Sequence, residues 1–295
     1  MRVNSARRGS NIRYMGLPLG GFPSIGKVPS VPSVTDGANW LVDSATAIAD
    51  RLHLPHNRLY DEWVSTRNPE AWPEPPNGNG KPAMLIPGFL AGDASLAPMA
   101  KWLKRGNWTL AKSGVAWNVN CTQATVESIE ARLESLVLQT GQKALIVGQS
   151  RGGAMGKVIA VRRPDLVDTL VTLGSPLNDH FDFHPRVWFG IGIIGGLGEL
   201  GLPGFLSLDC ASGDCCKETR LAYGRPFPEG VRFISFYSRG DNIVRYQACL
   251  HNSAEQIEIE SSHLGMGLDS EVWLRMKEEL DSPARPDSVE ELRAA

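Results

Sequence analysis

From residue 83 to residue 280, short apolar runs alternate with longer stretches in which apolar residues recur every three or four positions. The runs at 83–86, 115–119, 143–147, 167–173, 231–237 and 256–260 predict strands. The stretches at 94–105, 125–138, 151–162 and 270–280 predict helices. Leu96, Met99, Ala100 and Leu103 share one side of the first helix, and Pro164 stops the third. Apolar strands each followed by a helix argue for an α/β architecture, a mostly parallel sheet covered on both faces.

The alternation fails in three places. Residues 1–35 are rich in Gly, Pro and Ser and read as a surface arm or disorder. Thr35 or Asp36 can cap a helix over 38–52, and Pro73, Pro75, Pro76, Gly78 and Gly80 form a linker signal. This divides the chain into an N-terminal region, 1–80, a core, 81–281, and a polar tail, 282–295. Within the core, 176–230 carries no clear strand-helix unit and includes the apolar, glycine-rich WFGIGIIGGLGELGLPGFLSL. An insertion there reads as a lid or binding wall over the sheet's carboxyl edge, with an irregular buried segment as the alternative.

The composition excludes some classes. A net charge of −2 offers no basic field for nucleic acid. No apolar run reaches the roughly 20 residues needed to cross a bilayer. Gly, Pro and Arg13 break the apolar residues of the N-terminus, so no secretory signal is read, which favours the cytoplasm. Of the five cysteines, Cys210, Cys215 and Cys216 fall in CASGDCC. No CxxC or HxxxH supplies a second ligand pair, so no metal is expected, and disulfides among Cys210, Cys215, Cys216 and Cys249 are preferred; reduced packing cysteines are the alternative, and export stays open. The run 179–184, DHFDFH, has the residue types of a metal site but reads as surface polar contacts.

The chemistry centres on KALIVGQSRGGAMG, 143–156. A strand, a glycine-bracketed turn and a helix start are the setting in which G-x-S-x-G forms a nucleophile elbow, here with Ser150 at its tip. A serine nucleophile needs a base and an acid that orients the base. His263 follows the last strand and is the expected base, with His251 as rival. Asp241 follows the preceding strand and is the expected acid, with Asp209 and Asp214 as rivals. The backbone N–H of Arg151 and that of Phe89, or of Leu90, are expected to hydrogen-bond an oxyanion. Leu90, Gln149 and Leu264 are candidate substrate contacts, and Trp102, Trp108 and Trp117 read as packing residues.

PGFLAGD, GQSRGG, TLGSP, YSRGDNIV and SSHLGMG together resemble the α/β-hydrolase superfamily, and within it bacterial serine esterases and lipases, over 81–280. The resemblance implies an eight-stranded, mostly parallel sheet, no cofactor, an ester substrate and a covalent acyl-enzyme at Ser150, with Asp241 and His263 as partners. Acyl transfer or amide hydrolysis with the same residues, and a silent binding protein on this scaffold, are the alternatives. Two positions depart from the pattern: Pro87 and Gln149 stand where many lipases have His.

Overall fold

The structure, a computed structural model, describes residues 66–178, 205–207 and 213–283, together with Val64, Gly196 and Cys210. The arm, the helix expected over 38–52, the run 179–184, Asp209, most of the insertion and most of the tail lie outside the described residues. Strands β1 (Pro82–Ile86), β2 (Thr109–Lys112), β3 (Ala144–Gln149), β4 (Val167–Leu173), β5 (Arg232–Tyr237) and β6 (Glu255–Glu258) form one sheet. Their order is β2-β1-β3-β4-β5-β6, and every pairing is parallel. Among the described residues the sheet thus has six strands, where the resemblance implies eight.

Alternation within the strands divides the core in two. Met84, Ile86, Ile146, Leu170 and Phe233 point to one face. There they meet Val126, Ile129 and Leu133 of α2 (Thr122–Thr140) and Val158 and Ile159 of α3 (Arg151–Arg162). Leu85, Leu145, Val147, Val171 and Ile234 point to the other face. They meet Met99, Trp102 and Leu103 of α1 (Ala97–Arg105) and Val272, Trp273 and Met276 of α6 (Ser270–Asp281). Every residue of β1 and β3 is buried, as strands covered on both faces require, whereas edge strand β2 has none buried.

The strand expected over 115–119 is not one. The paired segment is 109–112 instead, and the following chain turns at Gly114, φ 81°. Val115 and Val119 are buried, but their carbonyls accept from loop amides, Asp93 N at 2.9 Å and Leu206 N at 2.6 Å. Asp93 fixes the turn, with Oδ1 accepting from Ser113 Oγ at 2.5 Å and Oδ2 from Gly114 N at 3.0 Å. Buried apolar residues on a hydrogen-bonded loop mimic a strand's pattern. Two short helices escaped the pattern reading, α4 (Lys217–Tyr223) and α5 (Tyr246–Cys249). They are too short for the 3.6-residue period to declare itself.

The Pro/Gly segment 73–80 lies along the core. The Nε1 groups of Trp102 and Trp108 donate to the Pro73 and Pro76 carbonyls at 2.7 and 2.9 Å. Trp102 stacks on Trp273 at 5.4 Å, and Trp72 meets Trp273 edge-on at 5.2 Å. Trp117 is not a core residue: it is 50% exposed.

His251 sits beside Phe233 and Phe227, with ring centroids 5.3 and 6.3 Å away, before β6 rather than at the sheet's carboxyl edge. Its Nδ1 accepts from Ser253 N at 3.2 Å, which suits a neutral ring. Desolvation, with a smaller contribution from the Lys157 charge, pushes its pKa down from 6.5 to about 4. The unfolded chain therefore takes up a proton that the folded chain refuses. This contribution to stability is intact above the unfolded pKa and is lost as pH falls toward about 4. In His251→Gln, the urea midpoint should fall less steeply with pH across this window than in the wild type; identical slopes would refute the assignment.

Candidate active site

Ser150 joins β3 directly to α3, with φ 52° and ψ −125°. A non-glycine residue held at such angles costs about 1–3 kcal/mol and persists only where its surroundings enforce them. The enforcement is steric and polar. Ser150 N donates to Leu173 O at 2.8 Å, tying the turn to the end of β4. A Cβ on Gly148 would lie 2.4 Å from Gly153 Cα, and one on Gly152 would lie 2.2 Å from Ile86 O. The two glycines thus serve separate approaches: Gly148 lets strand meet helix, and Gly152 lets the helix start meet the carbonyl end of β1.

Asp241 and His263 come together on the same edge of the sheet. His263 Nδ1 lies 2.6 Å from Asp241 Oδ2, and the two side chains are 5% and 0% exposed. Asp241 Oδ1 accepts from Ile243 N at 2.8 Å and Val244 N at 2.9 Å. A carboxylate is an acceptor only, so the imidazole proton belongs on Nδ1, which leaves Nε2 free to accept. No hydrogen bond joins the Ser150 hydroxyl to His263 or to any other described residue.

The remaining residues named from sequence divide. Gln149 is buried and does not present itself as a substrate contact: its Nε2 donates to the His263 and Leu264 carbonyls at 3.1 and 3.2 Å. Leu264 contributes its carbonyl to that tether, and its side chain is half-buried. Leu90 has φ 62° and is 38% exposed. The loop that carries Gly88, Phe89 and Leu90 passes close to the serine: a Cβ on Gly88 would lie 3.2 Å from Ser150 Cβ.

That loop is braced by two residues whose part the sequence did not reveal. Asn118 is fully buried, its Nδ2 donating to Pro87 O at 2.7 Å and its N to Ala91 O at 2.8 Å. It lay unnoticed inside the segment read as a strand, although a polar residue amid that apolar run was the available signal. Arg151 does more than offer a backbone N–H. Its guanidinium donates to Asn118 O and Asn120 O, each at 2.7 Å, and to Thr122 Oγ1 at 3.0 Å, and lies 5.9 Å over the Phe89 ring. Desolvation pulls its pKa down to about 10, which leaves it charged at neutral pH.

Gly174, just past β4, also went unnamed. It has φ 53°, and a Cβ there would lie 3.1 Å from Asp241 Oδ2, 3.2 Å from His263 Nδ1 and 3.0 Å from Met266 Sδ. Its bare backbone makes room for the Asp241–His263 pair.

Comparison with solved structures places the fold. The chain is similar to the Bacillus licheniformis lipase BlEst2 in its mature form, with a TM-score of 0.51, 14% identity, and 73% of this chain and 100% of that chain covered. The chain has the α/β-hydrolase fold. The pro-peptide form of the same lipase gives a TM-score of 0.52 at 13% identity, covering 75% of this chain and 55% of that one. A monoglyceride lipase from Saccharomyces cerevisiae, in complex with a substrate analog, gives 0.50 at 13% identity, covering 71% and 89%. No family model matches the chain, and no curated protein matches it in sequence.

Substituting Gly174→Ala should destabilise the fold by about 1–3 kcal/mol in urea unfolding, because the new Cβ must adopt a left-handed backbone against the buried pair. It should also move or abolish the downfield Nδ1 proton resonance of His263. Wild-type stability with an unmoved resonance would contradict this reading.

Proposed function

We propose that the chain is a serine carboxylic-ester hydrolase acting through Ser150, His263 and Asp241. The observation that carries this reading is the buried Asp241–His263 pair on the same sheet edge as a serine held at a strained strand-to-helix turn. Similarity to lipases supports the scaffold, and the site geometry supports the chemistry.

In this reading His263 Nε2 takes the Ser150 hydroxyl proton as Oγ attacks the ester carbonyl. Asp241 holds the ring in the required tautomer and stabilises the imidazolium that forms. The carbonyl oxygen becomes an oxyanion, stabilised by the backbone N–H groups of Arg151 and Phe89. The N-terminus of α3, directly after Ser150, adds favourable potential for that charge. The imidazolium returns its proton to the leaving alcohol and the acyl-enzyme remains. Water, deprotonated by the same Nε2, then attacks the acyl carbon, and the acid departs as the proton returns to Ser150. The apolar, glycine-rich stretch of the insertion sequence suits an ester with an apolar acyl or alcohol part.

Treatment with a fluorophosphonate should add one adduct to the intact mass, absent in Ser150→Ala, and a panel of p-nitrophenyl esters should show turnover. Absence of both, with and without detergent, would refute the proposal. Asp241→Asn should reduce kcat on the order of 10⁴-fold with the protein still folded, because the imidazole loses its orienting acceptor.

A further inference from the structure

Away from the serine, four cysteine sulfurs converge. Cys121, Cys210, Cys215 and Cys216 place their Sγ atoms all within 4.8 Å of one another. The closest approaches are 3.5 Å for Cys121–Cys216, 3.6 Å for Cys210–Cys215 and 3.7 Å for Cys215–Cys216. All five cysteines of the chain are thiols, so the disulfides expected from the sequence are not formed. Cys249 is not part of the group: it is buried at the end of α5, its Sγ 3.8 Å from Arg245 O. Cys121, which the sequence reading left aside, takes its place.

These separations carry chemical information. A disulfide brings two sulfurs to about 2.05 Å. Four thiolates bound tetrahedrally at about 2.3 Å from one zinc ion lie about 3.8 Å apart along each edge. The closest approaches in the cluster are near that edge length, and they link all four sulfurs rather than two isolated pairs. Cysteines that merely pack are buried among apolar atoms, but Cys215 is exposed and Cys121 and Cys210 are half-buried. From this geometry we propose that Cys121, Cys210, Cys215 and Cys216 form a structural site for one zinc ion. This replaces the expectation of no metal, which rested on the absence of a CxxC or HxxxH that could supply a second ligand pair. The ligand missing from the CASGDCC cluster is supplied in space by Cys121, 89 positions before Cys210 in the chain.

The surroundings suit a tetrathiolate. Zinc with four thiolates carries two net negative charges, and binding releases one proton from each thiol: Zn²⁺ + 4 RSH gives Zn(SR)₄²⁻ + 4 H⁺. Cys121 is the N-cap of the 19-residue helix α2, so the positive end of that helix faces the cluster. The backbone amides of Gln123 and Ala124, in the first turn of α2, favour negative charge on Cys121. The Arg151 guanidinium, held by Asn120 and Thr122, adds positive charge beside Cys121. Arg220 donates to the carbonyls of Cys210 and Gly213.

With four protein ligands the ion has no open position, so its work is structural. It fastens the described end of the insertion to the start of α2, where Gln123 Oε1 also accepts from Thr219 N at 3.1 Å. The segment it anchors is the one Arg151 grips to hold the Phe89 loop.

The test is metal analysis of the full chain, expressed with zinc in the medium and purified without chelator or histidine tag. One zinc per chain is expected, together with an unreduced intact mass showing five thiols once the metal is removed. Refilling the stripped protein with Co(II) should give the thiolate charge-transfer band and the intense visible bands of tetrahedral cobalt. Cys249→Ser should keep the metal and the bands, and Cys215→Ser should lose both. Substoichiometric zinc with no cobalt bands, or an intact mass lowered by the hydrogens of one or more disulfides, would overturn the site. Iron in place of zinc would overturn the choice of ion. Because the wild-type protein answers each point, a variant that fails to fold does not blunt the test.

Discussion

The backbone of β3 and the first turn of α3 touch with no side chain between them, and that contact organises the molecule. Gly148 faces Gly153, and Gly152 faces the carbonyl of Ile86, so strand, helix and the neighbouring strand converge on one point. Ser150 is left with a backbone it would not choose alone. The two apolar layers on either side of the sheet hold it there, since relaxing the turn would lift α3 away from Val158 and Ile159's partners in the core. Strain at one residue is maintained by burial at many.

From that point outward the site is assembled by polar tethers rather than by packing. Asp241 receives two backbone amides through one oxygen and the imidazole through the other, so its own turn and the His263 loop meet at a single carboxylate. Asn118 and the Arg151 side chain do the same for the Phe89 loop, satisfying carbonyls that a loop would otherwise bury unpaired. These groups are buried and specific, and each replaces a contact that regular secondary structure would have made.

The sequence was most legible where a period runs long enough to be seen. β4 and α3 lie at the positions read from their patterns, and the central strands differ only at their ends. It misled where burial and strand geometry part company: Val115 and Val119 are core residues on a loop. Ser150, Asp241 and His263 could be proposed because chain order and turn chemistry mark them locally. Gly174, Asn118 and the tether made by Gln149 could not, because each acts on a partner distant in sequence. The cysteines show the same limit, since Cys121 and Cys216 meet across 95 positions.

Gln149 has a further meaning. Its amide connects the residue before the serine to the loop that carries the imidazole, so the Ser150 turn and the His263 loop are tied directly to each other. Many lipases carry histidine at this position. An imidazole there would gain or lose charge as conditions change, and the tie would tighten or slacken with it. A carboxamide has no proton to trade. The tie between the turn that carries Ser150 and the loop that carries His263 is therefore indifferent to acidity.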